Sequence, residues 1–220
     1  TCMRVTKLDI VNAALVVVSF AVVAALYKVM PEQVPVHWRM DGSADRYVAK
    51  PFGPYVGPAF SALLFIVLQA LPRISPEGFR MDGFLGPYRW LQLAVHLALL
   101  AFCATLALQG LGYTDTTNRV VFFVWGFYFI WAGNLLPKFQ RNFFVGVRTP
   151  WTLVDDGVWF RAQRRAGWLL VVSGITSCLA GVLGLGVTSI AIAVFASITI
   201  PAILSYFDYR RVRRDAPGSA

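Results

Sequence analysis

The sequence predicts an all-α fold: a polytopic membrane protein with six transmembrane helices and both termini cytoplasmic. Three observations lead there. The chain is 57% hydrophobic and only 14% charged, with a mean hydropathy of +0.61, whereas a soluble domain is about a quarter charged. Six apolar stretches are long enough to cross a bilayer core, which takes about 20 residues of helix. Finally, the loops that these stretches define share the cations unequally.

The spans are read in order as Leu8 to Met30, Tyr55 to Leu71, Tyr88 to Leu111, Val120 to Leu136, Ala166 to Leu185 and Val187 to Phe207. The first is long enough to span and lacks a small-residue cleavage site, so a retained helix is expected rather than a cleaved leader. Gly184, Leu185 and Gly186 leave almost no loop between the last two spans, which predicts a tight hairpin, and Pro201 is expected to kink the sixth. With the N-terminus inside, fifteen Lys and Arg fall on the cytoplasmic side and five outside. That is the bias cytoplasmic loops carry. Two modules are expected. Residues 1–87 hold two spans around an outer loop, 31–54, and residues 88–220 hold four spans around a cytoplasmic loop, 137–165.

The cations flank apolar spans rather than covering one soluble face. The net charge of +9 therefore suits anionic headgroups, and the lipid bilayer is the expected partner, with no direct nucleic-acid binding. Cys2, Cys103 and Cys178 lack the spacing of a disulfide framework or a zinc site, and no cofactor is expected.

The outer loop, PEQVPVHWRMDGSADRYVAKPFGP, is dense in turn formers, extended at Val34 to Trp38 and turning at Asp41 to Ala44. His37, Trp38, Asp41, Asp45 and Lys50 are its candidate binding residues. Two readings stand: a metal or proton site from His37, Asp41 and Asp45, or a folded cap whose carboxylates pair with Arg39, Arg46 and Lys50.

The inner stretch from Gly133 to Gly167 carries six cations, Lys138, Arg141, Arg148, Arg161, Arg164 and Arg165, together with Trp151 and Trp159. Pro137 ends the fourth helix and Pro150 makes Thr149 extended. Thr149 or Thr152 is expected to cap a short helix starting near Trp151, with Asp155 and Asp156 in its first turn. Val158, Trp159, Ala162 and Ala166 then form an apolar stripe, and Arg161, Arg164 and Arg165 point to water or phosphates. This predicts an amphipathic helix on the inner leaflet. Arg148 either holds a carboxylate or phosphate or clamps loop carbonyls.

Within the spans, His96 is either a functional group or an imidazole satisfied by a neighbouring helix. Gln109 is read as interfacial, and Asn134 as tying its helix end to the loop. Ser173, Ser177 and Gly181, with the seven-residue repeat Gly167, Gly174 and Gly181, offer a close-packing face, expected to serve the molecule's own helices rather than a dimer. The terminal YRRVRRD anchors topology or docks a partner.

Two stretches together resemble the SdpI family of bacterial membrane proteins. VPVHWRMDGSADRYVAKPFG is similar to the N-terminal DUF1648-type module that accompanies it, through Pro35, His37, Trp38, Gly42, Asp45, Tyr47 and Lys50. GNLLPKFQRNFFVGVRTPWTL…VWFRAQRRAG resembles the family signature through Gly133, Asn134, Pro137, Lys138, Asn142, Gly146, Arg148, Thr149, Pro150, Trp151, Thr152, Leu153, Val158, Trp159, Arg164 and Gly167. Arg141 replaces a usual proline, and Ala162 and Gln163 stand where a Thr-His pair is common.

The resemblance implies a multi-pass protein of the bacterial cytoplasmic (inner) membrane, related to an immunity factor against a secreted antimicrobial peptide. It also implies signalling, by sequestering a transcriptional repressor at the membrane. Toxin resistance without catalysis is thus the expected function, with the peptide outside and the regulator inside as partners. A small-solute transporter or efflux component is the alternative, disfavoured because the spans beyond His96, Gln109 and Asn134 hold few strongly polar groups. A membrane enzyme with a metal in the outer loop is the second alternative, without a Ser-His-Asp set, an H-E-x-x-H motif or paired intramembrane aspartates to support it.

Overall fold

A threonine followed three residues later by an acid opens the first helix. In the computed structural model, which describes residues 5–39, 44–184 and 188–215, the Asp9 N–H donates to Thr6 Oγ1 and the Thr6 N–H donates to the Asp9 carboxylate at 2.8 Å. This capping box satisfies two amides at the start of α1, Lys7–Leu26. A two-stranded antiparallel hairpin follows, β1 Gln33–Trp38 and β2 Ala44–Ala49. Then come α2 Val56–Ala70, α3 Leu85–Gly110, α4 Thr114–Leu135, α5 Asp156–Leu183 and α6 Thr188–Asp215. Among the described residues six helices are long and apolar enough to cross a membrane, as expected.

Val34 to Trp38 is extended, as expected, but its return strand β2 was not foreseen. Val34 pairs with Val48 and Pro35 with Tyr47, and the register is irregular on either side of His37. Asp41 and the expected turn fall on 40–43, outside the described residues. A lone hairpin is marginal in water; here Val34 is fully buried in an apolar cluster with Val23, Met30, Cys103, Leu106 and Ala107. Gly53 permits the approach, since a Cβ there would lie 2.6 Å from the Val48 carbonyl oxygen and 2.7 Å from Val34 Cβ.

The fifth helix departs from expectation. It begins at Asp156 rather than Ala166, so the amphipathic segment is no separate surface helix but the opening turns of α5. Asp155 caps it, accepting from the Val158 N–H at 2.7 Å, and no breaker interrupts the chain before Gly184, which ends the helix at φ +68°. Thr149 and Thr152 are not the cap. The fourth helix starts at Thr114 rather than Val120, and the sixth runs on to Asp215 as one continuous helix through Pro201. Leu185 and Gly186, the expected tight turn, lie outside the described residues.

The small-residue repeat packs α5 onto α4, within the molecule. A Cβ at Gly133 would lie 2.6 Å from the Gly167 carbonyl oxygen, and one at Gly174 would lie 2.5 Å from that of Gly126. Ser177 Oγ donates to the Phe122 carbonyl at 2.7 Å. One end of the bundle gathers the start of α1, the 71–84 link, the 136–155 loop and the end of α6. Its core is Met81, Phe84, Tyr88, Leu135, Leu136, Phe139 and Val147. The hairpin stands at the opposite end.

Candidate functional site

The loop between α4 and α5 is short of regular structure, so each buried polar group needs a side-chain partner. Asn142, fully buried, supplies four bonds. Its amide nitrogen donates to the carbonyls of Gln140 and Val145 at 2.9 and 3.1 Å, and its oxygen accepts the N–H groups of Phe144 and Val145 at 2.9 and 2.7 Å. Gly146 turns the chain at φ +110°, where a Cβ would strike the Gln163 side chain. Gln163 then holds Val147 by both backbone groups: the Val147 N–H donates to Oε1 at 2.9 Å, and Nε2 donates to the Val147 carbonyl at 3.1 Å.

Thr152, fully buried, accepts the Thr149 N–H at 2.8 Å and has the carbonyls of Val147 and Thr149 within reach of its hydroxyl. Trp159 Nε1 donates to the Phe139 carbonyl at 2.8 Å, tying the loop's first residues to α5. Trp151 Nε1 donates to Ser205 Oγ on α6, and the Trp151 ring meets Tyr206 edge-on at 5.2 Å. The loop is thus a folded plug fastened to α5 and α6.

Its cations divide. Arg148 donates to the Phe143 carbonyl at 2.8 Å, the carbonyl clamp of the two readings. Arg141 donates to the Leu153 carbonyl and pairs with Asp156, each at 2.7 Å. Arg165 and Arg161 converge on Asp208 of α6, at 2.5 and 3.6 Å. These two were expected to face water or phosphates; instead an acid on the next helix draws them in. Val158, Trp159, Ala162 and Ala166 do share one face, but that face is buried within the protein rather than laid on the inner leaflet. Lys138 and Arg164 are exposed, with no ion-pair partner among the described residues. Asn134 does not tie its helix to the loop: it is exposed and donates back to the Ile130 carbonyl at 2.8 Å. On the tail, Arg210 and Arg213 lie over the rings of Tyr206 and Tyr209 at 5.9 and 5.7 Å.

At the opposite end, the hairpin brings His37 Nδ1 to 2.6 Å from Asp45 Oδ1, with Arg39 at 3.7 Å from the same carboxylate. The hydrogen bond from His37 holds the Asp45 carboxyl below its ordinary value, and the positive charge of Arg39 adds to the shift. Trp38 closes β1. Lys50 pairs with Glu32 at 3.0 Å and lies 5.4 Å over the Tyr27 ring. Of the pairs in the cap reading, Arg39 has Asp45 and Lys50 has Glu32. Among the described residues no three metal-ligating side chains cluster.

His96 sits far from this hairpin, buried in α3, with Nδ1 3.0 Å from Ser61 Oγ and Nε2 unpartnered. Sequence reasoning missed Gln163, Ser205 and Asp208, and also Asn12 and Gln92. The signals were present: an acid one turn ahead of the C-terminal arginines, and amides inside apolar spans, one of them a single turn before His96.

Residues 138–207 match the SdpI/YfhL protein family, and residues 14–62 match a domain of unknown function, DUF1648. The chain is 29% identical over 208 residues to the immunity protein SdpI of Bacillus subtilis (strain 168), covering 94% of this chain and 98% of that one. No solved structure matches it significantly. With an SdpI/YfhL match over its loop-bearing half, a DUF1648 match over its hairpin module and six apolar helices among the described residues, this chain is a multi-pass membrane protein similar to the SdpI family.

Proposed function

We propose that this chain is an immunity protein of the bacterial cytoplasmic membrane, conferring resistance to a secreted antimicrobial peptide by binding rather than catalysis. The observation that carries this reading is the match to an immunity protein over 98% of that protein's length. Two folded surfaces at opposite ends of the bundle support it. The loop-bearing end is the cytoplasmic one, because it collects fifteen of the twenty Lys and Arg. The hairpin then faces outward and meets the peptide. Inside, Lys138, Arg164 and the C-terminal basic turns offer a cationic surface to a transcriptional repressor, which the peptide-bound state would sequester.

The test is expression of the chain in Bacillus subtilis lacking its own SdpI, followed by challenge with a secreted peptide to which that deletion sensitises the cells. Restored survival is expected, with loss of protection when the hairpin is replaced by a Gly/Ser linker. Unprotected cells carrying the full chain at the wild-type SdpI level would overturn the reading.

A further inference from the structure

Polar side chains that α1, α2 and α3 bury among themselves recur at one-turn intervals. At the loop-bearing end, Arg89 Nε donates to Asp9 Oδ1 at 2.9 Å and Gln69 Nε2 reaches the same oxygen at 3.4 Å. One turn deeper, Asn12 Nδ2 donates to Gln92 Oε1 at 3.4 Å. A further turn in lies the Ser61–His96 pair. Asn12, Ser61, Gln92 and His96 are each at most 2% exposed. Yet Asn12 Oδ1, Gln92 Nε2 and His96 Nε2 have no hydrogen-bond partner among the described residues. Such an atom left dry is destabilising, and hydrocarbon offers nothing to satisfy it.

A cleft of about 270 Å³ opens beside this column, its lining including Asp9, Ala13, Phe65, Gln69, Arg73 and Arg89. It reaches the Phe65 ring, whose centroid is 5.8 Å from that of His96. Beyond His96 the buried hydroxyls of Ser19 and Thr105 donate to the Val16 and Phe102 carbonyls of their own helices. Gly57 packs so closely on α3 that a Cβ would lie 2.5 Å from Cys103 Sγ, and the apolar cluster beneath the hairpin closes the far end.

We propose that the α1–α2–α3 cleft is the mouth of a one-sided hydrated vestibule, open where α1 begins, from which water passes the Phe65 wall to the unpartnered atoms as far as His96, and that its ligand is water. The unpartnered atoms comprise one acceptor, one donor and an imidazole nitrogen able to serve as either. Water alone supplies all three complements, and a buried water makes about three hydrogen bonds. The vestibule brings solvent to an intramembrane histidine without a route past it, so His96 equilibrates with one side alone.

The chain has two histidines, so histidine-labelled protein in bilayers gives a clean measurement by water-edited solid-state NMR. His37, exposed on the hairpin, is the wet reference. Polarisation transfer from water to the His96 ring is expected, falling to background in the Asn12→Leu/Gln92→Leu variant. No transfer to His96 in the unsubstituted chain would overturn the proposal. Sidedness is read from Ala13→Cys in a chain with its other cysteines replaced by alanine, using an impermeant methanethiosulfonate reagent on oriented vesicles. Labelling only from the side of the N-terminus is expected; labelling from the hairpin side, or from neither, would overturn it.

Discussion

Gln163 shows how much a single carboxamide contributes. Leucine in its place leaves the Val147 N–H and C=O buried and unpaired, so Gln163→Leu is expected to lower unfolding stability in micelles by about 2–4 kcal/mol. Trp159→Phe, which deletes one bond to the Phe139 carbonyl, is expected to cost about 1 kcal/mol in the same denaturant titration. At the hairpin, Asp45 has its pKa lowered from 3.8, so its link to His37 adds stability above that pH and loses it as the pH falls through the lowered value. Asp45→Asn should therefore flatten the acid limb of a melting-temperature profile while leaving the neutral limb parallel. Asn142, Thr152 and Trp159 were legible as special residues from the signature pattern. Their hydrogen-bond partners were not, because the chain's own carbonyls and amides leave no mark on a residue-type pattern.

Six apolar runs sufficed to find six helices, since a span's length and hydropathy are local properties. The start of α5 was missed for a non-local reason. Val158, Trp159 and Ala162 read equally well as a stripe lying on lipid or as the buried foot of a spanning helix, and only the loop packed over them decides. The glycine repeat was readable because close approach demands small residues wherever the partner is. Gly174→Leu is expected to destabilise the α4–α5 contact by about 3 kcal/mol, the upper end for overpacking, whereas Gly86→Ala, with open space around it in α3, should be neutral or stabilising by up to about 1 kcal/mol. Parallel melting curves of the two variants check the contrast. Asp208→Asn, which removes the carboxylate shared by Arg161 and Arg165, is expected to cost about 1 kcal/mol, modest because both guanidinium groups are partly solvated.

For the whole molecule, the bundle is polarised: a plugged, cation-rich end and an end carrying the hairpin. Cysteines introduced at Gln140 and at Glu32 are expected to react with an impermeant thiol reagent from opposite sides of the membrane. Reaction of both from one side would refute the six-span arrangement. The guanidinium groups of the loop also act at two different times. By the cation bias of cytoplasmic loops, Arg141, Arg161 and Arg165 are expected to orient the chain as it inserts, before Asp156 and Asp208 are in reach; in the closed bundle the same groups pair with those acids as its fasteners. Lysine at Arg141 or Arg165 would then preserve orientation and yet weaken the assembled protein, separating the two jobs in a single substitution.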